Sequence, residues 1–234
     1  PEDSESLFQN GDAYADFFQA ARNEGVHIHA LVGDASWCRK ERYNEIIRRM
    51  ESLSDFYQKK ISFDGVHFDI EPQALPEWDT PAQRSELVER YPSLLDELAK
   101  LCKKSMPGVA IAADVPAWFE NQRNESWTQD DNLLTRVFEC VDEVFVMDYY
   151  AEAETIIEKA KEELVQSRIH KKPVWIGLKV KPDPASKQSD SFSGWNKEYV
   201  DQIMHEIYVS LNSWFPELQG FSIFDYTGFR SMRK

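Results

Sequence analysis

Cysteine is scarce in this chain. Three occur in 234 residues, Cys38, Cys102 and Cys140, an odd number without the close spacing that a disulfide framework or a zinc site needs. Cys102 and Cys140 fall in helix-like, partly apolar runs and are expected to be buried free thiols. Positive charge is short too. Lys and Arg total 27 against 41 Asp and Glu, a formal net charge of -14. That balance argues against nucleic acid, whose phosphates need a basic surface, and against docking on an anionic membrane. A neutral partner such as a carbohydrate is compatible with it. Long apolar runs are missing: stretches such as Val109–Val115 are too short for membrane insertion. No Gly-rich phosphate loop follows the first β-rich run, because Gly33-Asp34-Ala35-Ser36 is not a nucleotide fingerprint. His27 and His29 alternate onto one face without a third ligand, so neither a metal nor an organic cofactor is expected. Neither an internal repeat nor a low-complexity linker marks a second domain. The chain opens on Pro1 with no signal-like apolar region after it, so it reads as a processed or partial chain whose targeting information lies outside it.

What is present is apolar and aromatic. Hydrophobic residues make up 42% and aromatics 13%, enough for a sizeable core and too much for a disordered chain. Residues 5–24 carry Leu7, Tyr14, Phe17, Phe18 and Ala21 at helical spacing, and Gly25 ends that run. Further helices are predicted over 40–59, 83–103 (with Pro92 kinking or restarting it), 130–140, 152–167 and 196–213. Between them lie β-rich runs near 27–32, 65–70, 109–115, 143–148, 174–180 and 220–225. This alternation implies a parallel sheet. The loops after the strands are long, aromatic and acidic, whereas those before them are short turns such as Pro107-Gly108. A ligand site at the carboxyl ends of the strands is expected from that asymmetry. The fold class expected is α/β, a (β/α)8 TIM barrel in which residues 1–234 form a single catalytic domain lacking the first two β-units.

The run Asp64-Gly65-Val66-His67-Phe68-Asp69-Ile70-Glu71-Pro72 carries the chemistry. Side chains alternate along a strand, so His67, Asp69 and Glu71 share one side while Val66, Phe68 and Ile70 share the other. Carboxylates facing helices would be costly to bury, so the acidic side is expected to line the interior. Two close carboxylates repel when both are ionised. One then keeps its proton to higher pH and can act as a general acid. Glu71, at the strand's end, is best placed to reach a substrate. Asp69, one layer deeper, is best placed to orient it. Pro72 restricts the backbone of Glu71 to extended conformations.

These residues resemble family 18 glycoside hydrolases, the chitinases and related endo-N-acetylglucosaminidases. That family carries Asp-Gly-x-Asp-x-Asp-x-Glu on a barrel strand and Met-x-Tyr at the end of a later one. Here Asp64, Gly65, Asp69 and Glu71 match the first motif and Met147-Asp148-Tyr149 matches the second, while His67 replaces one acidic residue. The resemblance implies a hydrolase of O-glycosyl bonds with Glu71 as acid/base. Asp69 would orient a 2-acetamido group and Tyr149 would hydrogen-bond to it as its oxygen attacks the anomeric carbon. It also implies a secreted or cell-surface setting. Tyr150 and Phe224-Asp225-Tyr226 stand where the family usually has Asp and Trp, which bears on the choice of substrate.

Other strand ends carry Asp34, Asp114, Asp148, Asp225 and Tyr226, which with His67 and Trp118 are candidate substrate-binding residues. Asp148 or Asp225 opposite Glu71 would make a two-carboxylate glycosidase, with separations of ~5 Å for a retaining pair and ~6.5–9.5 Å for an inverting one. Trp37, Trp78, Trp118, Trp127 and Trp195 all fall in loops after strands and are candidate sugar platforms. A non-catalytic, lectin-like barrel is therefore a further reading. Lys179, at a strand end, is the single Schiff-base candidate for a lyase or aldolase. The sugar, the linkage and the oligomeric state are not encoded in these patterns.

Overall fold

Gly25 stops the first helix as its position predicts. Helix α1 (Gly11–Asn23) closes with the Gly25 N–H on Arg22 O and the Val26 N–H on Ala21 O, and Gly25 takes the left-handed φ of 73° that such a stop uses. The computed structural model describes residues 11–59, 63–182 and 190–233. The expected start of this helix near residue 5, with Leu7, lies outside the described residues.

The chain forms two compact units, Pro1–Ala113 and Asp114–Lys234. In the first unit, β1 (His29–Val32), α2 (Tyr43–Lys59), β2 (Gly65–Phe68), α3 (Pro81–Ser105) and β3 (Ala110–Pro116) follow in order, β3 running across the boundary. Strand β2 pairs in parallel with β1 from His29↔Gly65 to Val32↔Phe68, and with β3 from Gly65↔Ala110 to Phe68↔Ala113. Short 3-10 turns occupy Ala35–Cys38 and Lys40–Arg42 after β1, and Pro72–Ala74 and Pro76–Asp79 after β2. Helix α2 buries Ile46, Met50 and Phe56. Helix α3 buries Leu87, Val88, Tyr91, Leu94, Leu95, Leu98 and Cys102, the three-and-four spacing that puts one face on the sheet. Pro92 does not restart α3. It sits buried inside one continuous helix, where packing outweighs the hydrogen bond that its ring removes.

In the second unit, α4 (Leu133–Cys140), β4 (Glu143–Met147), α5 (Ala153–Lys159), α6 (Lys161–His170), β5 (Val174–Lys179), α7 (Lys197–Leu211), β6 (Leu218–Phe224) and α8 (Tyr226–Ser231) complete the chain. Strand β5 pairs in parallel with β4 and with β6, with a bulge between Val174 and Trp175 on the β6 side. Asn132 and Asn196 cap α4 and α7 by accepting from the N–H groups of Thr135 and Tyr199. Among the described residues the architecture is thus α/β, six strands alternating with helices, each pairing parallel within its unit.

Two differences from the sequence reading have local causes. The helix expected over 152–167 is two, α5 and α6, divided at Ala160, whose ψ of 0° departs from the helical value. The second runs on to His170 and is stopped by Lys171 in the left-handed region, a stop that no glycine advertises. Helix α8 has only six residues, too short for periodicity to reveal. Within the loop read as 181–195, residues 183–189 lie outside the described residues.

Candidate active site

Exposure along the 64–72 segment alternates. Val66, Phe68 and Ile70 are 1% exposed or less, while His67, Asp69 and Glu71 are half-buried. The period of two therefore continues past the last ladder residue of β2, because the Asp69 N–H still bonds to Val32 O at 2.9 Å. Gly33 makes that approach possible. A Cβ at Gly33 would lie 2.1 Å from the Asp69 carbonyl oxygen, and the φ of 153° is one that side-chain-bearing residues avoid. Gly65 serves the layer below. A Cβ there would meet the His29 ring at 2.6 Å, and His29 in turn meets His67 edge-on, with centroids 6.4 Å apart.

Glu71 is then turned by Pro72, which starts a 3-10 turn and is itself buried. One carboxylate oxygen, Oε2, accepts a 2.9 Å hydrogen bond from Gln73 Nε2. Gln73 is a neighbour of the candidate acid that the motif did not point to. Its only sequence signal is a position two residues downstream. The next turn is held by a two-point ion pair. Arg39 donates Nε to Glu77 Oε1 at 2.7 Å and NH2 to Glu77 Oε2 at 3.1 Å, which ties the loop after β1 to the loop after β2. Asp34 is occupied locally: its carboxylate accepts from Ser36 N at 2.8 Å and from Ser36 Oγ, and those bonds hold it below the usual carboxylate range.

In the second unit, exposure alternates along β4 as well. Val144, Val146 and Asp148 are buried, and Tyr149 lies half-buried on the other side. Asp148 is fully inaccessible, and burial pushes its carboxyl up to about 8. Its charged neighbours are Lys159 and Glu163. Glu163, on α6, is equally buried and pushed up to about 9 by burial first and by Glu120, Asp148 and Glu162 after it. Both oxygens of Asp148 and of Glu163 lack a hydrogen-bond partner among the described residues. This carboxyl cluster was not anticipated, since its members lie on different elements and their burial leaves no mark on local periodicity.

Tyr149 lies under Lys179, whose Nζ is 5.7 Å from the ring centroid, and stacks on Phe224 at 6.0 Å. Gly177 lets β5 lie close against β4, since a Cβ there would come 2.6 Å from Val146 O, with the Tyr149 ring at 3.5 Å. Lys179 is buried at the end of β5. Asp225 caps α8 by accepting from the Gly228 N–H at 2.7 Å, and it lies 3.4 Å from Lys181. The Gly228 bond leads the causes that lower its pKa. Tyr226 is exposed, while Asp114 and Trp118 are half-buried, the latter edge-on to Phe119 at 5.4 Å.

The five loop tryptophans divide. Trp37 is 2% exposed and belongs to the core. Trp78 lies near the Arg84 guanidinium and Trp127 near that of Arg136. Trp195 stays open to solvent while stacking on Tyr199 at 4.1 Å. All three cysteines are free thiols; Cys102 is buried and Cys140 half-buried. Among the described residues, no group of three or more His, Cys, Asp or Glu is arranged to hold a metal ion, and no helix is long and apolar enough to cross a membrane.

With this geometry in place, comparison with known proteins gives a fold. A β-glucuronidase from Bacteroides uniformis superposes with a TM-score of 0.59 at 12% identity, covering 89% of this chain and 24% of that one. The chain shares its α/β fold with a glycosidase structure. Distant structural similarity extends to the spore cortex-lytic enzyme SleL of Bacillus megaterium (TM-score 0.49, 13% identity, 74% of this chain and 42% of that one). It extends also to a chitinase of Chromobacterium violaceum (TM-score 0.49, 14% identity, 71% and 54%). The chain spans about half or less of the length of each. No family model and no curated protein matches the sequence.

Proposed function

We propose that this chain belongs to a family 18-like glycosidase of (β/α) barrel type, with Glu71 as the general acid/base and Asp69 as its orienting partner. The observation that carries the reading is the alternation at 66–71. Three apolar side chains are fully buried on one side, and two carboxylates rise half-buried on the other. The Gln73 amide steadies one oxygen of Glu71, which helps to hold the carboxyl in one orientation for proton exchange with a glycosidic oxygen. The resemblance of the Asp64–Glu71 motif supplies the substrate class, N-acetylated sugars, and the substrate-assisted route. By the same resemblance Tyr149 hydrogen-bonds to the acetamido group. Asp148 is a poor candidate for a nucleophile, because it has no solvent-accessible surface.

Glu71→Gln keeps the shape and removes the proton. Hydrolysis of N-acetylglucosamine-containing oligosaccharides is expected to fall by about 10²–10⁴-fold, the usual contribution of a positioned general acid, with the circular dichroism spectrum unchanged. Undiminished turnover in this variant would remove Glu71 from the role. Glycan binding without turnover in the parent protein would favour the lectin-like alternative.

A further inference from the structure

Unit one holds two adjoining cavities outside the Glu71 segment. The larger, 520 Å³, lies between the turns after β1 and β2 and the first half of α3. The smaller, 320 Å³, continues along α3 and shares Lys40, Arg90 and Ser93 with it. Their charges differ. In the smaller one Lys40 and Arg90 face a single carboxylate, Glu97, with Tyr43 and Ser93 beside them. In the larger one carboxylates outnumber cations, through Glu41, Glu86 and Glu89.

We propose that this double groove binds an acidic sugar residue, its carboxylate on Lys40 and Arg90 and its hydroxyls against the glutamates next door. A chain of net charge -14 repels anions in general, so a local excess of cations in a concave niche is a selective feature. Arg90 is half-buried, and its Nε is shielded from water with no hydrogen-bond partner among the described residues. An unmade bond at a buried guanidinium nitrogen is costly, and a planar carboxylate satisfies a guanidinium with two parallel bonds. Lys40 is exposed and forms no salt bridge among the described residues. Arg39, by contrast, is neutralised by Glu77, so the remaining cations, Lys40 and Arg90, lie where the two cavities adjoin. Carboxylates of the larger cavity accept hydrogen bonds from hydroxyls and disfavour a second negative charge. A monoanionic, hydroxyl-rich ligand fits both sets of groups, whereas a phosphate or a polyanion fits only the cations. The turns lining the groove follow the carboxyl ends of β1 and β2, the end from which Glu71 projects.

The inference rests on the glycan reading given above, so binding and hydrolysis are measured separately. The Glu71→Gln protein is titrated by NMR with a uronic acid trisaccharide, with a neutral N-acetylglucosamine trisaccharide and with inorganic phosphate. Uronate-induced shifts are expected at residues 40, 43, 90 and 93. Arg90→Gln and Lys40→Gln should each weaken uronate binding at least tenfold and leave the neutral trisaccharide unaffected. The proposal fails if uronate does not bind, if both variants bind it as the parent does, or if phosphate displaces it at equal concentration, which would reveal a plain anion site. Uronate binding that depends on Arg90, in a protein whose Glu71 proves irrelevant to hydrolysis, would retain the groove and discard the catalytic assignment.

Discussion

At the scale of single residues, side chains that are absent matter as much as those present. Gly33 lets the backbone after β1 touch Asp69, and the clash that a methyl group would make there is with a carbonyl oxygen, which cannot rotate aside. Gly33→Ala is expected to destabilise the protein by about 1–3 kcal/mol from backbone strain, with further loss from displacement of Asp69. Urea unfolding should show a lower midpoint at an unchanged slope, and an unaltered midpoint would refute the close approach. The motif at Asp69 and Glu71 was legible because acidic residues at a period of two are unusual in a strand. Gln73 and the Arg39–Glu77 pair were not, because a hydrogen bond between long side chains leaves no trace in residue spacing. Asp34 shows the reverse. Its position at a strand end suggested substrate binding, and in the structure its carboxylate is occupied by Ser36.

At the scale of elements, periodicity located all six strands to within about three residues, and it failed where an end is set by geometry without a signature residue. Helix α6 ends on Lys171 with φ 54° and ψ 44°. A residue with a Cβ pays roughly 1 kcal/mol in that region, and glycine avoids the cost. Lys171→Gly should therefore raise stability by about 0.5–1 kcal/mol, read as an increase in thermal midpoint; a decrease would mean that the lysine side chain contributes contacts of its own. Pro92 illustrates tertiary override in the other direction. Its ring argues for a kink or a restart, yet α3 runs on through it as one helix with nine residues from Leu87 to Cys102 buried, and that burial offsets the lost hydrogen bond. The tryptophans teach the same lesson, since Trp37 and Trp195 both follow strands while one is core and the other is open to solvent.

At the scale of the whole molecule, pH reports on what folding has buried. Asp148 and Glu163 titrate near 8 and 9 in the folded state, against about 4 for exposed carboxyls. Between those limits the folded state holds more protons than the unfolded one, so stability falls as pH rises. The contribution is intact below about pH 4 and is lost progressively through pH 8–9. Asp148→Asn and Glu163→Gln remove the titration, so each should raise the urea midpoint relative to the parent at pH 8, with the advantage shrinking towards pH 4. A difference independent of pH would contradict the assignment. What the amino-acid sequence determined by itself is the alternation of strands and helices, the acidic surface and the pairing of Asp69 with Glu71 on one side. All of these follow from local periods and composition. Only the tertiary structure decided which carboxylates are buried and which are tied up in caps. Asp148 and Glu163 stand on different elements and are buried near one another, while Arg90 and Lys40, from a helix and a turn, line the same cavities. Solvation and long-range proximity are properties of packing, and they separated buried, capped and available charges among residues that the sequence presents as equivalent.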